Sequence, residues 1–160
     1  MRINRFVALA TTLVFVALAL GIVASAADQH SGTWKMNPAK SKFTPGPAPK
    51  SQTLKIVAWG ADGVTYTADG VDPDGKPSHW EFQAKYDEKF VPFKGNIDAD
   101  MISYKRIDAN TIESKTTLKG KPAATTRAVV SADGKTRTLT QTGKNAKGQD
   151  INNVIVYEKQ

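Results

Sequence analysis

Ser78-His79-Trp80-Glu81-Phe82-Gln83-Ala84-Lys85-Tyr86 puts Trp80, Phe82, Ala84 and Tyr86 on one side of an extended backbone and His79, Glu81, Gln83 and Lys85 on the other. Side chains alternate between the two faces of a strand, so this segment reads as a strand with one dry and one wet face. Its neighbours follow the same rule. Leu54 to Trp59 alternates and ends in Gly60-Ala61-Asp62-Gly63; Val64 to Val71 alternates and ends in Asp72-Pro73-Asp74-Gly75-Lys76-Pro77. Beyond them lies a short Pro-interrupted piece at 90–93, then strands at 101–107, 111–119, 122–131, 136–142 and 152–158. The separators are Asp108-Ala109-Asn110, Gly120-Lys121-Pro122, Ala132-Asp133-Gly134 and a polar loop at 143–150. Asp-Gly between alternating segments is a hairpin signal, and a type I′ turn is expected there because glycine tolerates positive φ.

No window of eleven or more residues carries helical periodicity. About eight short antiparallel strands joined by hairpins predict an all-β up-and-down meander. Such a sheet must close on itself or pack on a second sheet to hide its edges. Short consecutive connections favour an up-and-down barrel, with a β-sandwich as the alternative.

The chain of 160 residues opens with a different kind of text. Arg2 and Arg5 form a basic head, Phe6 to Val23 is almost wholly apolar, and Ala24-Ser25-Ala26 has the small-x-small pattern of a signal-peptidase site. Residues 1–26 are therefore expected to be a secretory signal peptide, which makes the product exported, periplasmic or extracellular, with no stable membrane insertion after cleavage. Residues 27–160 are then one domain, divided into an N-terminal lead-in at 27–51 and an antiparallel barrel at 52–160. The lead-in carries Gly32-Thr33-Trp34 and the run Thr44-Pro45-Gly46-Pro47-Ala48-Pro49, read as a stiff, extended surface connector because proline removes backbone donors. The leader has two arginines and no acid, so the net charge of +7 becomes about +5 after cleavage. Its lysines are scattered, as on a solvated surface. With no cysteine, the fold stands on packing and sheet hydrogen bonds even in an oxidising compartment.

Gly32-Thr33-Trp34, ahead of a meander of about eight strands, resembles the Gly-x-Trp signature of lipocalins. With the Pro-rich tail after Phe43 and the closing Asn152-Asn153-Val154-Ile155-Val156-Tyr157-Glu158-Lys159, the chain resembles small exported bacterial lipocalin-like proteins, barrels of the calycin type. The resemblance implies that Trp34 plugs the closed end of a barrel, and it carries Gly32 and Trp34 over as structural residues only. A Thr-Asp-x-x-Tyr turn, the second lipocalin signature, has no match. The end of the chain is also similar to the last strand of intracellular fatty-acid-binding proteins. In those proteins an Arg two residues before the Tyr grips the ligand carboxylate, whereas here that position is Ile155.

A barrel of about eight strands encloses either packed side chains or one small ligand. Tyr66, Trp80, Phe82, Tyr86 and Tyr104 are the candidate wall residues, and the alternative is that they fill the core. Thr116, Thr126 and the series Thr136, Thr138, Thr140 and Thr142 suggest a small, hydroxylated interior that leaves room. Arg106, Arg127 and Arg137 each lie within a strand; facing inward, an arginine would bind an anionic head group through its bidentate fork, and facing outward it is ordinary surface. Arg106 and Arg127 are taken as the candidate anion contacts.

His79 and Glu81 share a strand face, but a zinc site needs three or four ligands and His30 lies in the lead-in, so no metal is expected. Asn96-Ile97-Asp98-Ala99-Asp100 lacks the glycine and the distal glutamate of a calcium loop. Without cysteine or a Gly-x-Ser-x-Gly elbow, no catalytic residue and no cofactor are expected. The expected role is an exported binder of a small apolar or amphipathic molecule. A non-enzymatic module using a basic outer face on anionic envelope polymers is the alternative, a hydrolase the third, and nucleic acid is not an expected partner.

Overall fold

The computed structural model describes residues 28–160. The expected signal peptide lies outside the described residues. Ten strands form one antiparallel sheet: β1 (Gly32–Met36), β2 (Ser51–Trp59), β3 (Gly63–Val71), β4 (Pro77–Lys85), β5 (Val91–Pro92), β6 (Met101–Arg106), β7 (Thr111–Leu118), β8 (Lys121–Val130), β9 (Thr136–Lys144) and β10 (Asp150–Lys159). Their order is β4-β3-β2-β1-β10-β9-β8-β7-β6-β5. The two edges meet: Glu81 of β4 and Lys94, just past β5, exchange both backbone N–H···O bonds at 3.0 Å. The sheet is thus a nearly closed barrel, and the sandwich alternative falls.

The count of about eight strands is corrected to ten. The added central strand is β1, which the lead-in hides. Trp34 and Met36 point inward while Thr33 and Lys35 are exposed, and the strand pairs with β2 on one side and β10 on the other. Five residues are too few for the alternation to stand out in sequence. Without them the meander could not join its last strand to its early ones.

The turns also differ from expectation. At Asp133-Gly134 only the glycine has positive φ (70°), and Gly134 N donates to Ser131 O at 2.8 Å, giving a type I turn followed by a left-handed glycine rather than type I′. The I′ geometry occurs instead at Lys119-Gly120, where both residues have positive φ (51° and 74°) between Leu118 and Lys121, which pair directly. The Pro-rich run leaves a short 3-10 turn at Pro38–Lys40 and reaches β2 across the barrel's open end.

Alternation gives the barrel a packed end and an open end. Trp34, Leu54, Ile56, Val64, Ile112, Val130 and Tyr157 are buried in the core at or toward the first. Residues 28–31 lie across that end: Trp34 Nε1 donates to the His30 carbonyl at 2.9 Å, and Lys159 Nζ sits 5.0 Å from the Trp34 ring. Trp34 is thus sealed inside that end of the barrel.

Candidate functional site

Toward the other end the barrel is hollow. A cavity of about 700 Å³ runs inward from a rim of Pro45, Pro47, Pro49, Pro73 and Ile97. That volume lies within the usual range for a small-molecule site. One wall is aromatic. Tyr66 of β3 stacks on Trp80 and Phe82 of β4, with ring centroids 5.4 and 4.9 Å apart and planes within 14° and 18° of parallel. Phe93 meets Trp80 and Phe82 edge-on, and Tyr104 of β6 packs at 5.0 Å from Phe82. Offset stacked and edge-on pairs of this kind stabilise a rigid wall by about 0.5–1.5 kcal/mol each beyond burial.

The opposite wall is made of small side chains: Ser114 and Thr116 of β7, and Ala124, Thr126 and Ala128 of β8. This contrast is the local cause of the hollow, because bulky side chains from one wall meet nothing of equal reach from the other. The Thr116 hydroxyl is engaged with the backbone: it accepts from Ala124 N at 3.0 Å and donates to Ala124 O at 3.2 Å beside the β7–β8 bulge. A second groove of about 360 Å³ beside that bulge, which shares Thr116 and Ala124 with the cavity, contains none of the candidate residues.

Of the candidates, the cavity brings together Tyr66, Trp80, Phe82 and Tyr104. The other three are elsewhere. Tyr86 and Arg106 belong to the packed end: Arg106 pairs with both carboxylate oxygens of Asp28 at 3.3 and 2.7 Å, its guanidinium lies 4.2 Å from the centre of the Tyr86 ring, and the Tyr86 hydroxyl donates to Asp28 at 3.1 Å. Burial opposes ionisation of Asp28, but the Arg106 ion pair, with the His30 and Tyr86 hydrogen bonds, holds its carboxyl below the ordinary value. Arg127 is exposed on the outer face of β8, opposite Glu113. Neither arginine reaches the cavity, so both expected anion contacts are displaced by geometry.

The arginine that does reach it is Arg137, at the start of β9. It is 1% exposed and lines the inner end of the cavity. Nη1 donates to the Tyr66 hydroxyl at 2.8 Å and Nε to His30 Nδ1 at 3.4 Å, with Tyr157 and Tyr104 alongside. His30 is held neutral, its pKa lowered to about 4 first by burial and then by the charge of Arg137, which leaves Nδ1 free to accept. Burial pushes the hydroxyls of Tyr66, Tyr104 and Tyr157 upward, so all three are neutral donors or acceptors at pH 7. Tyr157 donates onward to Gln52.

The sequence reading puts the series Thr136, Thr138, Thr140 and Thr142 of β9 in the interior, which turns the alternate set, Arg137, Leu139 and Gln141, outward. Threonine fits either face of a strand, so the pattern is silent on which side is dry. The structure turns Arg137, Leu139 and Gln141 inward, and the threonine series faces out. The room inside comes from Ser114, Thr116, Ala124, Thr126 and Ala128 instead. His79 and Glu81 lie on the outer face of β4; His79 Nδ1 is 2.7 Å from Asp69, and that hydrogen bond raises its pKa. His30 lies in the packed end, so the two histidines do not meet.

No protein-family model matches the chain, and no curated protein matches it. Solved structures do. The wild-type fluorescent protein UnaG superposes with a TM-score of 0.54 at 15% identity, over 82% of this chain and 98% of that one. A zebrafish ileal bile acid-binding protein complexed with cholic acid gives 0.51 at 14%, over 82% and 99%. Rv2717c of M. tuberculosis gives 0.52 at 13%, over 82% and 93%. At such identities the likeness is one of fold, and the fold is the ten-stranded, calycin-type antiparallel barrel.

Proposed function

We propose that this chain is an exported, non-enzymatic binding protein that holds one small apolar or amphipathic molecule inside its barrel. The observation that carries the reading is the cavity of about 700 Å³, walled by Tyr66, Trp80, Phe82, Phe93 and Tyr104 and open at the Pro-rich rim. A ligand there would be held by burial of apolar surface, about 25 cal/mol per Å² before the costs of ordering. The zebrafish ileal bile acid-binding protein complexed with cholic acid, a molecule of that kind, supports the reading by analogy of fold. The sequence of residues 1–26 supports export.

The reading is tested by native mass spectrometry of protein purified gently from its own host. A discrete additional mass that is lost on denaturation is expected; a bare mass unchanged by incubation with a lipid extract would oppose the proposal. Trp80→Ala provides a second test. A tryptophan filling a solid core would lose about 3–5 kcal/mol on truncation. Trp80 is half-buried and borders empty space. Its removal should therefore cost only about 1–2 kcal/mol in a denaturant titration while retention of the bound molecule falls at least about tenfold.

A further inference from the structure

Arg137 is buried and charged, and among the described residues no carboxylate lies within salt-bridge distance of it. The acids that could have served are committed elsewhere. Asp28 pairs with Arg106, Glu158 turns outward to Lys40 and Asn37, and Asp133 caps its own turn through Ser131 and Lys135. Among the described residues, the side chains that accept from Arg137 are those of Tyr66 and His30, both neutral groups. A guanidinium carries five N–H donors, and these contacts occupy two of them. A buried cation without a counter-ion is strongly unfavourable, and it is retained where something else supplies the charge.

The surroundings say what would supply it. The guanidinium lines the inner end of the cavity, with the Tyr66 and Tyr104 rings beside it and the aromatic wall running from there to the mouth. Among the described residues no second cation lines that inner end. Lys144 and Lys147 border the cavity but stand on the exposed rim. A single planar fork matches a single planar oxyanion; a dianion such as a phosphate monoester would leave one charge unbalanced in a dry site.

We infer that the ligand is an organic monoanion, a carboxylate on an apolar body, seated head-inward with its oxygens on Arg137 and its body against Trp80 and Phe82. This rests on the reading of the barrel as a small-molecule carrier. Tyr66 is the positioning residue: its hydroxyl accepts from Nη1 and fixes the plane of the fork. His30 Nδ1 does the same for Nε. The head-group site thus lies at the start of β9, held by β3 and the segment that covers the packed end. It does not use the position of Ile155 on β10.

Matched pairs of probes test it by titration calorimetry on the intact mature protein: decanoic acid against 1-decanol, and 2-naphthoic acid against 2-naphthylmethanol. Each acid should bind at least tenfold tighter than its alcohol, at 50 mM and at 500 mM salt alike, because a buried pair is little screened. Arg137→Met should reduce that preference to threefold or less. If Arg137→Met does not fold, the acid-to-alcohol ratio of the wild-type protein and its salt dependence decide alone. Alcohols that bind as tightly as their acids would overturn the head-group assignment while leaving the carrier reading intact. Binding of neither class would remove the carrier reading, and this inference with it. A preference that vanishes at 500 mM salt would move the anion to the exposed rim lysines and overturn the role of Arg137.

Discussion

His30 and His79 show how far environment sets chemistry at the scale of one side chain. They are the two histidines of the chain, identical in type and opposite in surroundings. Burial, and after it the charge of Arg137, lowers the pKa of His30 to about 4, whereas the hydrogen bond to Asp69 raises that of exposed His79. Proton NMR should therefore resolve two imidazole titrations, one near pH 4 and one above 6.5; a single shared midpoint near 6.5 would contradict the packing at the closed end. The stability consequence has a definite sign. As pH falls below 6.5 the unfolded chain protonates His30 first, while the folded chain resists until about 4. This group accordingly subtracts stability across the window from 6.5 down to 4 and has no effect above it. The loss should amount to about 1–3 kcal/mol in denaturant titrations at the two ends of that window, and it should shrink in His30→Gln. Asp28 acts lower: its contribution is present above the ordinary carboxylate value of 3.8 and fades as pH falls through its depressed value.

At the scale of strands, legibility followed the strength of the pattern. β4 was readable because Trp80, Phe82 and Ala84 alternate with charged and polar partners, and burial follows polarity from Phe82 to Lys85. β1 was not, because Gly32–Met36 is five residues long and draws its stability from two neighbours far away in sequence, β2 and β10. β9 was readable as a strand but not as a face, since a one-residue change of parity exchanges its interior and exterior sets and threonine does not object to either. Four wall aromatics were therefore legible, while the central cation, Arg137, was visible only as one of three equivalent arginines. That the meander closes into a barrel follows from its short connections, but the place of the seam between β4 and the residues after β5 is not legible in the sequence. The seam depends on Gly95, which has φ of 76° and passes so close to β4 that an added Cβ would run into the His79 carbonyl oxygen. Gly95→Val should break the Glu81–Lys94 bridge next to it and cost about 2–4 kcal/mol in chemical denaturation. A cost below 0.5 kcal/mol would mean that the β4–β5 seam contributes little to holding the barrel shut.

Across the whole molecule, a packed end and a hollow end divide two tasks. Trp34, Tyr157 and the segment at 28–31 close one end, and Asp28 ties that segment to Arg106 and Tyr86. The hollow half gives up packing on the β7–β8 side, which lowers the intrinsic stability of the empty barrel. A molecule that fills it should restore part of this, by about 2.7 kcal/mol at a free concentration one hundred times its dissociation constant. Ile97, 84% exposed at the rim, and the prolines of 45–49 mark where such a molecule would enter.

The central claim is that the ligand lies inside the barrel against the aromatic wall, and the three tryptophans report on it directly. Trp80 lines the cavity, Trp34 is sealed in the packed end, and Trp59 is exposed on β2. A bromine-bearing aliphatic carboxylate quenches only indoles that it contacts. The account predicts saturable, one-to-one quenching of the wild-type protein that survives Trp59→Phe and is largely lost in Trp80→Phe. Quenching that persists in Trp80→Phe but disappears in Trp59→Phe, or that never saturates, would place the molecule outside the barrel and contradict it.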